Sequence, residues 1–586
     1  MSASPQPETA EATARASHRG ATGTGHFAPL RRPVGLETEF GVLQPGNPYA
    51  NSVVMASRIV AAYGAIARPD AGTREAVRWD YEGEDPLADL RGGRLERAAA
   101  HPSQLTDDPA RPAPSGDVPP APWGSRPRPS AAEAALPQAS TAVLTNGARL
   151  YVDHAHPEYS SPEVLTPHDA LVWDRAGEVI ARRAMAALDP EDGEIVLYKN
   201  NVDGKGAAYG SHENYLVRRE LPFETLAAAL IPFLVTRPVF AGAGRVGIGQ
   251  RSETPGFQIS QRADYVGTDI ALQTTFNRPI VNTRDEPHAD AARFRRLHVI
   301  NGDANRFDVP IYLKVATTSL LLWYLERAHD RGQGLGALTD LRITADPVEE
   351  HWAMSHDPAL TYALATARGR LTALEIQRAH LEAIAAALRE DYGGTGAEYV
   401  GLATARALAL WEETLAALED YAASRGTPAQ AEATARAAQL VEWVAKLQLC
   451  EGLRARSGTG WDDPRLAAAD IQWADLRAGR GLAERLIAAG RTRRLTTDAE
   501  IEAAADRPPA GTRAAVRGTA VANHAAVVAA SWTSLVLDVP GHAELLRLPL
   551  PDAVTVSDAE LARILGAVQD AVTPAEPEDS ESQSRP

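Results

Sequence analysis

Acids, histidines and arginines recur along this chain at the spacing that strands impose. Side chains alternate between the faces of a strand, so residues two apart share a face. In Val34–Val42, VGLETEFGV, that rule puts Glu37 and Glu39 on one side, flanked by Gly35 and Gly41. Two carboxylates on one face suit a divalent cation, and magnesium prefers such hard oxygen donors. A solvated edge strand with two exposed acids is the simpler account of that motif taken alone. In Arg149–Glu163, RLYVDHAHPEYSSPE, the alternation lines up Arg149, Tyr151 and Asp153 against Leu150 and Val152. An Arg, a Tyr and an Asp are poor core material, and they suit a sheet that holds an anionic ligand and a base. Pro157 is expected to break the strand and leave Glu158 at its end as a second carboxylate.

Further candidates lie downstream. Asn200–Leu216, NNVDGKGAAYGSHENYL, reads as a polar Gly-rich loop ending in His212, Glu213 and Asn214. GFQISQRADY and PIVNTRDEPH read as strands with Arg262 and Arg284 at their ends, and RRLHVI adds His298. Arginine forks are natural phosphate clamps, although a strand-end arginine more often closes an internal salt bridge. Trp461, in GTGWDDPRL, falls in a loop, where it either stacks on a base or plugs a gap. Carboxylates mixed with His and Arg point to Mg²⁺ bridging nucleotide phosphates, with Arg neutralising the remaining charge. No Gly-Lys-Ser/Thr loop is present, which argues against a P-loop nucleotidase. GAGRVG, Gly242–Gly247, matches a dinucleotide fingerprint in letters only, because the turn-like IGQRSETPG follows where a helix is required. A hairpin turn accounts for it better. His154 and His156 share a face opposite Tyr151 and Asp153 and have no third ligand nearby. A zinc site is therefore disfavoured, and they are read as orienting the turn by hydrogen bonding.

The elements that must position these residues follow from periodicity. Helices are expected over Ser52–Ala67, His168–Ala187, Phe223–Leu234 and Tyr312–Arg327, with a strand at Glu194–Asn200 and helical segments from Leu371 to Arg456. Residues 98–140 are dense in Pro, Ala, Ser and Asp and read as a mobile insertion. Pro508–Pro509 and the strand-like Ser531–Val539 mark a small C-terminal unit. The expected organisation is a disordered tail over 1–32, a catalytic domain over 33–490, the C-terminal domain over 491–573 and an acidic tail over 574–586. The net charge of −17 argues against general affinity for nucleic acid or anionic membranes. No stretch approaches bilayer-spanning length. One cysteine, Cys450, excludes a disulfide framework and a Cys-based zinc site and fits a reducing cytoplasm.

GLETEFG, TNGARLYVDHAHPEYSSPE, YKNNVDGKGAAYGSHENYL, GFQISQRADY and NTRDEPHADAARFRRLHVI together resemble the family of deamidases, depupylases and ligases of the prokaryotic ubiquitin-like protein Pup. Within it, the long insertion before Thr145, the short DHAHPEY turn and DGKGAAYGSHENYL side with the deamidases, whereas GLETEFG has the ligases' form. The resemblance implies an α+β fold: a glutamine synthetase-like antiparallel sheet packed with helices, plus the small C-terminal domain. It implies ATP and Mg²⁺ as cofactors, with the nucleotide not consumed in each turnover. Glu37, Glu39, Tyr151, Glu158, His212 and His298 would hold or adjoin the metal. Arg149, Ser161 and Trp461 would contact ATP, and Arg262, Arg284 and His298 would face phosphates or substrate carboxamide. Asp153 would be the catalytic carboxylate, as general base or as nucleophile. The implied partners are Pup, pupylated proteins and proteasome-associated machinery, and the implied reactions are deamidation of a C-terminal Gln and cleavage of the isopeptide bond. Ligation of Pup is the alternative. Arg237 and Arg245 are expected on a locally basic docking groove.

Overall fold

The fold is given by a computed structural model, which describes residues 27–68, 76–101, 104–105, 124–128, 140–203, 206–247, 249, 251, 253–550, 552–553 and 556–572. At its centre is an eight-stranded sheet. In chain order its strands are β1 (Val34–Glu39), β2 (Thr141–Val143), β3 (Arg149–Asp153), β4 (His156–Ser160), β5 (Ser211–Arg218), β6 (Val266–Ala271), β7 (Arg278–Asn282) and β8 (Phe294–Val299). In space they run β6-β7-β8-β5-β1-β4-β3-β2. Every neighbouring pair is antiparallel except β6 and β7 at one edge. The expected antiparallel sheet packed with helices is thus present.

One face of this sheet is apolar and carries helices. Val34 and Leu36 of β1, Val217 of β5 and Leu297 and Val299 of β8 are buried in one large core. That core includes side chains of α1 (Pro167–Ala186), α2 (Phe223–Thr236) and α3 (Asp308–Asp330). α1 starts cleanly because the Thr166 hydroxyl accepts from the Asp169 amide and Pro167 occupies the first turn, where its missing N–H costs nothing. Nearly all of α3 is buried, its polar members included: Lys314 donates to the Asp303 carbonyl and Glu326 pairs with Arg32. The opposite face of the sheet carries the polar residues.

Several expectations need correcting. Pro157 does not end a strand. The chain reverses at His154, whose φ of 52° lies in the left-handed region, and returns as β4, with Tyr151 opposite Glu158 and Asp153 opposite His156. The stretch 200–216 is only partly loop, because Ser211–Arg218 is a strand inserted between β1 and β8. GFQISQRADY is strand only over Gly256–Gln258, which pairs with Arg245–Gly247, so the second half of GAGRVG is a hairpin strand rather than the turn. Order begins before residue 33: Arg32 is fully buried against Glu326 at 3.0 Å and lies over the Phe27 ring.

The C-terminal unit is not built from C-terminal residues alone. Its five-stranded sheet runs Arg78–Trp79, Val527–Ala530, Ser534–Leu537, Leu545–Pro549, Gly124–Arg126. Two of those strands come from the N-terminal half, one of them from inside the expected insertion. The remainder of that insertion over 106–123 and 129–139 lies outside the described residues, as do the tails over 1–26 and 573–586. Helix α4 (Arg513–Asn523) joins this second unit to the large sheet. Among the described residues, no helix is long and apolar enough to cross a membrane.

Candidate active site

The polar face of the large sheet becomes a site because register aligns its strands. Residues directly opposite each other on antiparallel strands share a face. Glu37 lies opposite Ser160 on one side and His212 on the other, and Glu39 lies opposite Glu158. Glu158 in turn lies opposite Tyr151, and His298 lies opposite Asn214. Five strands thus bring Glu37, Glu39, Tyr151, Asp153, Glu158, His212 and His298 to one surface. All of them but Glu39 border a cleft of about 390 Å³ whose walls also include Arg149, Glu84, Arg284, Glu286, Arg296 and Trp532.

Two ligand clusters stand on this surface. In the first, the Glu37 carboxylate meets His212 Nδ1 at 3.1 Å and His298 Nε2 at 3.5 Å, and it accepts from Asn214 Nδ2 at 2.8 Å. Burial would raise the Glu37 pKa, but the contacts with His212 and His298 more than reverse this and hold it well below the usual range. Burial and the charge of Arg296 push His298 down to about 3, so its imidazole is neutral. In the second cluster, Glu39, Asp153 and Glu158 each offer a carboxylate oxygen, all within 4.8 Å of one another. Glu39 accepts from the Gly210 amide at 2.8 Å and lies 3.4 Å from His156 Nδ1. Burial raises Glu39, and His156 with His212 outweighs that to bring it to about 2. Glu158 goes the other way. Burial and the charges of Asp153, Glu37 and Glu39 raise it well above the carboxylate range, despite the bond donated by the Tyr151 hydroxyl at 2.6 Å.

These residues fit a divalent cation. Among the described residues, neither nitrogen of the buried His298 ring has a hydrogen-bond partner, since 3.5 Å to Glu37 is too long for a good bond. Three acids crowd together with too little positive charge around them, and a cation would relieve their repulsion. The all-oxygen cluster suits magnesium, while the Glu-His-His cluster also suits cations that favour imidazole. Asp153 differs from its neighbours. Its side chain is 26% exposed at the cleft, and His154 Nδ1 holds it from 3.1 Å.

The other predicted residues divide. Arg149 lies on the cleft wall, stacked over Trp79 at 4.1 Å and Tyr151 at 4.0 Å. Arg284 is there too, tied to Glu286 at 2.6 Å. Ser161 borders a smaller, mostly apolar pocket beside the cleft, of about 90 Å³, and its hydroxyl accepts from the Leu36 amide and donates to the Pro162 carbonyl. Arg262 does not reach the cleft. It is 1% exposed and spends its donors on the carbonyls of Tyr209 and Ile300. Trp461 borders neither cavity, packing against Phe257 beneath Arg454. Arg237 and Arg245 form no docking surface, because both are buried, paired with Glu213 at 2.7 Å and Asp264 at 3.0 Å. His156 shares the face of Asp153 rather than the opposite one, because the hairpin turns it toward Glu39 and against Tyr209.

Sequence reasoning missed Arg296 and Trp532. Arg296 lies two residues before His298, so strand parity alone could have put it on the site. It donates to Asn214 at 2.8 Å and approaches Glu286. Trp532 comes from the C-terminal unit, borders both cavities and meets Trp79 edge-on at 5.1 Å. Nothing local in its sequence ties it to strands so far upstream.

A family model described as "Pup-ligase protein" matches residues 32–536. The depupylase of Acidothermus cellulolyticus is 43% identical over 540 residues, covering 92% of this chain and 97% of that protein. The Pup deamidase/depupylase of Mycolicibacterium smegmatis is 41% identical over 548 residues, covering 93% and 98%. A solved complex of Pup with its ligase PafA superposes with a TM-score of 0.68 at 29% identity, over 93% of each chain. A structure of PafA with ADP gives a TM-score of 0.62 at 34% identity, over 74% of this chain and 91% of that one.

Proposed function

The chain belongs to the Pup-ligase protein family, and from that premise we propose that it hydrolyses amide bonds on Pup. It converts the C-terminal Gln of Pup to Glu, and it cleaves the isopeptide bond between that Glu and a substrate lysine. Both are hydrolyses of an amide on one side chain, so one site serves both. Similarity to depupylases along almost their full length supports this over ligation. The observation that carries the reading is the convergence of Glu37, Glu39, Tyr151 and Glu158 around Asp153, the member of its cluster most open to the cleft.

Glu37, Glu39, Glu158, His212 and His298 would hold magnesium, with Tyr151 locking Glu158 in place and Asp153 left free. The ion would supply charge neutralisation around nucleotide phosphates and polarisation at the reacting carbonyl. ATP, or ADP with phosphate, is an assembled cofactor here. The apolar pocket beside Ser161 and Trp532 accepts the base, and Arg149, Arg284 and Arg296 face the phosphates or the substrate. Asp153 acts on the carboxamide. As a base it takes a proton from water while the water oxygen attacks the carbonyl carbon, then returns that proton to the departing nitrogen. As a nucleophile it forms an acyl anhydride as the C–N bond breaks and the departing nitrogen takes a proton from water, and a second water opens the anhydride. Label found in Asp153 after a single turnover in ¹⁸O-labelled water would establish the second route, with water attacking the Asp153 side of the anhydride. The lone, buried Cys450 fits a cytoplasmic enzyme, with pupylated proteins and proteasome-associated machinery as partners.

The test is direct. Pup ending in Gln, incubated with the protein, ATP and magnesium, should release ammonia and acquire the mass of the acid, with ATP left intact. Conjugation of Pup ending in Glu to a lysine-bearing protein, with ATP consumed and no ammonia released, would replace this reading with ligation.

A further inference from the structure

We propose that Arg517 is a positioning residue for nucleotide binding, holding Trp532 at the mouth shared by the two cavities. This rests on the reading that the nucleotide base occupies the pocket beside Ser161. Arg517 borders neither cavity and is fully buried in α4. Its guanidinium lies 4.8 Å from the Trp532 ring and donates to the Trp532 carbonyl at 3.2 Å. The same group donates to the Gly147 carbonyl at 2.9 and 2.7 Å and pairs with Glu163. Gly147 closes the turn into β3, which carries Arg149, Tyr151 and Asp153. Glu163 follows β4 and borders the smaller pocket. One planar cation therefore registers the C-terminal unit against both strands of the site hairpin.

The seam around Arg517 is built for close approach. A side chain on Gly147, at φ +81°, would meet the Ala514 carbonyl at 2.9 Å, and one on Gly518 would meet the Thr145 carbonyl at 2.5 Å. Backbone thus meets backbone on either side of the guanidinium, and a small displacement of α4 has no side chain to absorb it. Arg513 secures Glu163 separately, at 2.6 Å, so loss of Arg517 alone does not strand that acid without a cation. A lysine in place of Arg517 cannot span three acceptors with one ammonium group.

The experiment measures ATP affinity by calorimetry in the full-length protein, for wild type, Arg517→Lys, Arg517→Met, Trp532→Ala and Arg517→Met/Trp532→Ala. Arg306→Met serves as a control, since Arg306 is equally buried and pairs with Glu178 away from both cavities. Both Arg517 variants should lose about tenfold in affinity, the scale of one stacked base, while kcat at saturating ATP stays near wild type. Arg306→Met should lose stability without losing affinity. If Arg517 acts through Trp532, the double variant binds ATP within about twofold of Trp532→Ala alone. Unchanged affinity in Arg517→Lys, or losses that multiply in the double variant, would overturn the proposal. Wild type that fails to bind ATP at all would instead remove the functional reading on which it stands.

Discussion

Strand β1 separates two groups of buried charge, and they are built on opposite plans. Between Glu37 and Glu39, Thr38 points to the other side, where its hydroxyl reaches Asp174 at 3.4 Å. Asp174 belongs to a network in which every acid meets a cation or several donors. Lys199 lies 2.6 Å from Asp174 and 3.1 Å from Glu178, and Arg175 and Arg306 each lie 3.3 Å from Glu178. Glu442 accepts from the amides of Arg306 and Phe307 and from the Trp473 indole. On the site face, the acids outnumber the cations that touch them. Burial and the neighbouring acids raise the Glu158 pKa, and neither nitrogen of His298 makes a hydrogen bond among the described residues. The inner network sets a cation or several donors against each of its acids, although Arg175 Nε, Arg306 Nε and Glu178 Oε2 make no hydrogen bond among the described residues, so it serves the fold. The outer one is complete only when something positive joins it, so it serves chemistry.

That contrast breaks down first if Asp153 is dispensable. Asp153→Ala should lower amide hydrolysis at least about a thousandfold while Pup still binds, checked by ammonia release together with a binding isotherm. Retained turnover would move the reaction elsewhere on the face. The inner network should respond in the opposite sense. Lys199→Met leaves Asp174 and Glu178 without their nearest cation and should cost about 3–5 kcal/mol of stability, measured by urea unfolding, with kcat of the folded fraction preserved.

A smaller effect sharpens the comparison through pH. The Glu158 carboxyl has its pKa raised on folding from an ordinary value of 4.5. Below that value it is protonated in both states. Above it only the folded state keeps the proton, so the stability contributed by Glu158 is present in acid and lost as pH rises toward the folded value. In metal-free buffer, wild type should therefore lose stability relative to Glu158→Gln between pH 5 and 8, by at most about 1.4 kcal/mol per pH unit. A constant difference across that range would mean that the acids do not repel one another as described.

Much of this was legible beforehand. Period-two spacing placed Glu37 with Glu39 and Tyr151 with Asp153, and β1 and β3 obey it. Parity within a strand is a local property, so the sequence carries it. What parity cannot carry is a reversal of the chain. The turn at His154 sends β4 back along β3, and for that reason His156 and Glu158 sit opposite Asp153 and Tyr151 rather than beyond them. Strand ends proved equally opaque for the arginines. Arg262 and Arg284 look alike in sequence, yet one is walled in by backbone carbonyls and the other opens on the cleft, a difference set by tertiary packing. Trp532 and Arg517 reach the site through a sheet assembled from both ends of the chain, and no window of sequence contains that pairing.

The central claim is that the acids of the site face await a cation, and metal-dependent stability tests it most directly. Thermal unfolding of protein stripped with chelator should shift upward on adding magnesium, by the equivalent of about 2.7 kcal/mol at a hundredfold excess over the dissociation constant. The same titration on a Glu39→Gln/Glu158→Gln variant should give little or no shift. An equal shift in both proteins, or none in wild type, would contradict the account.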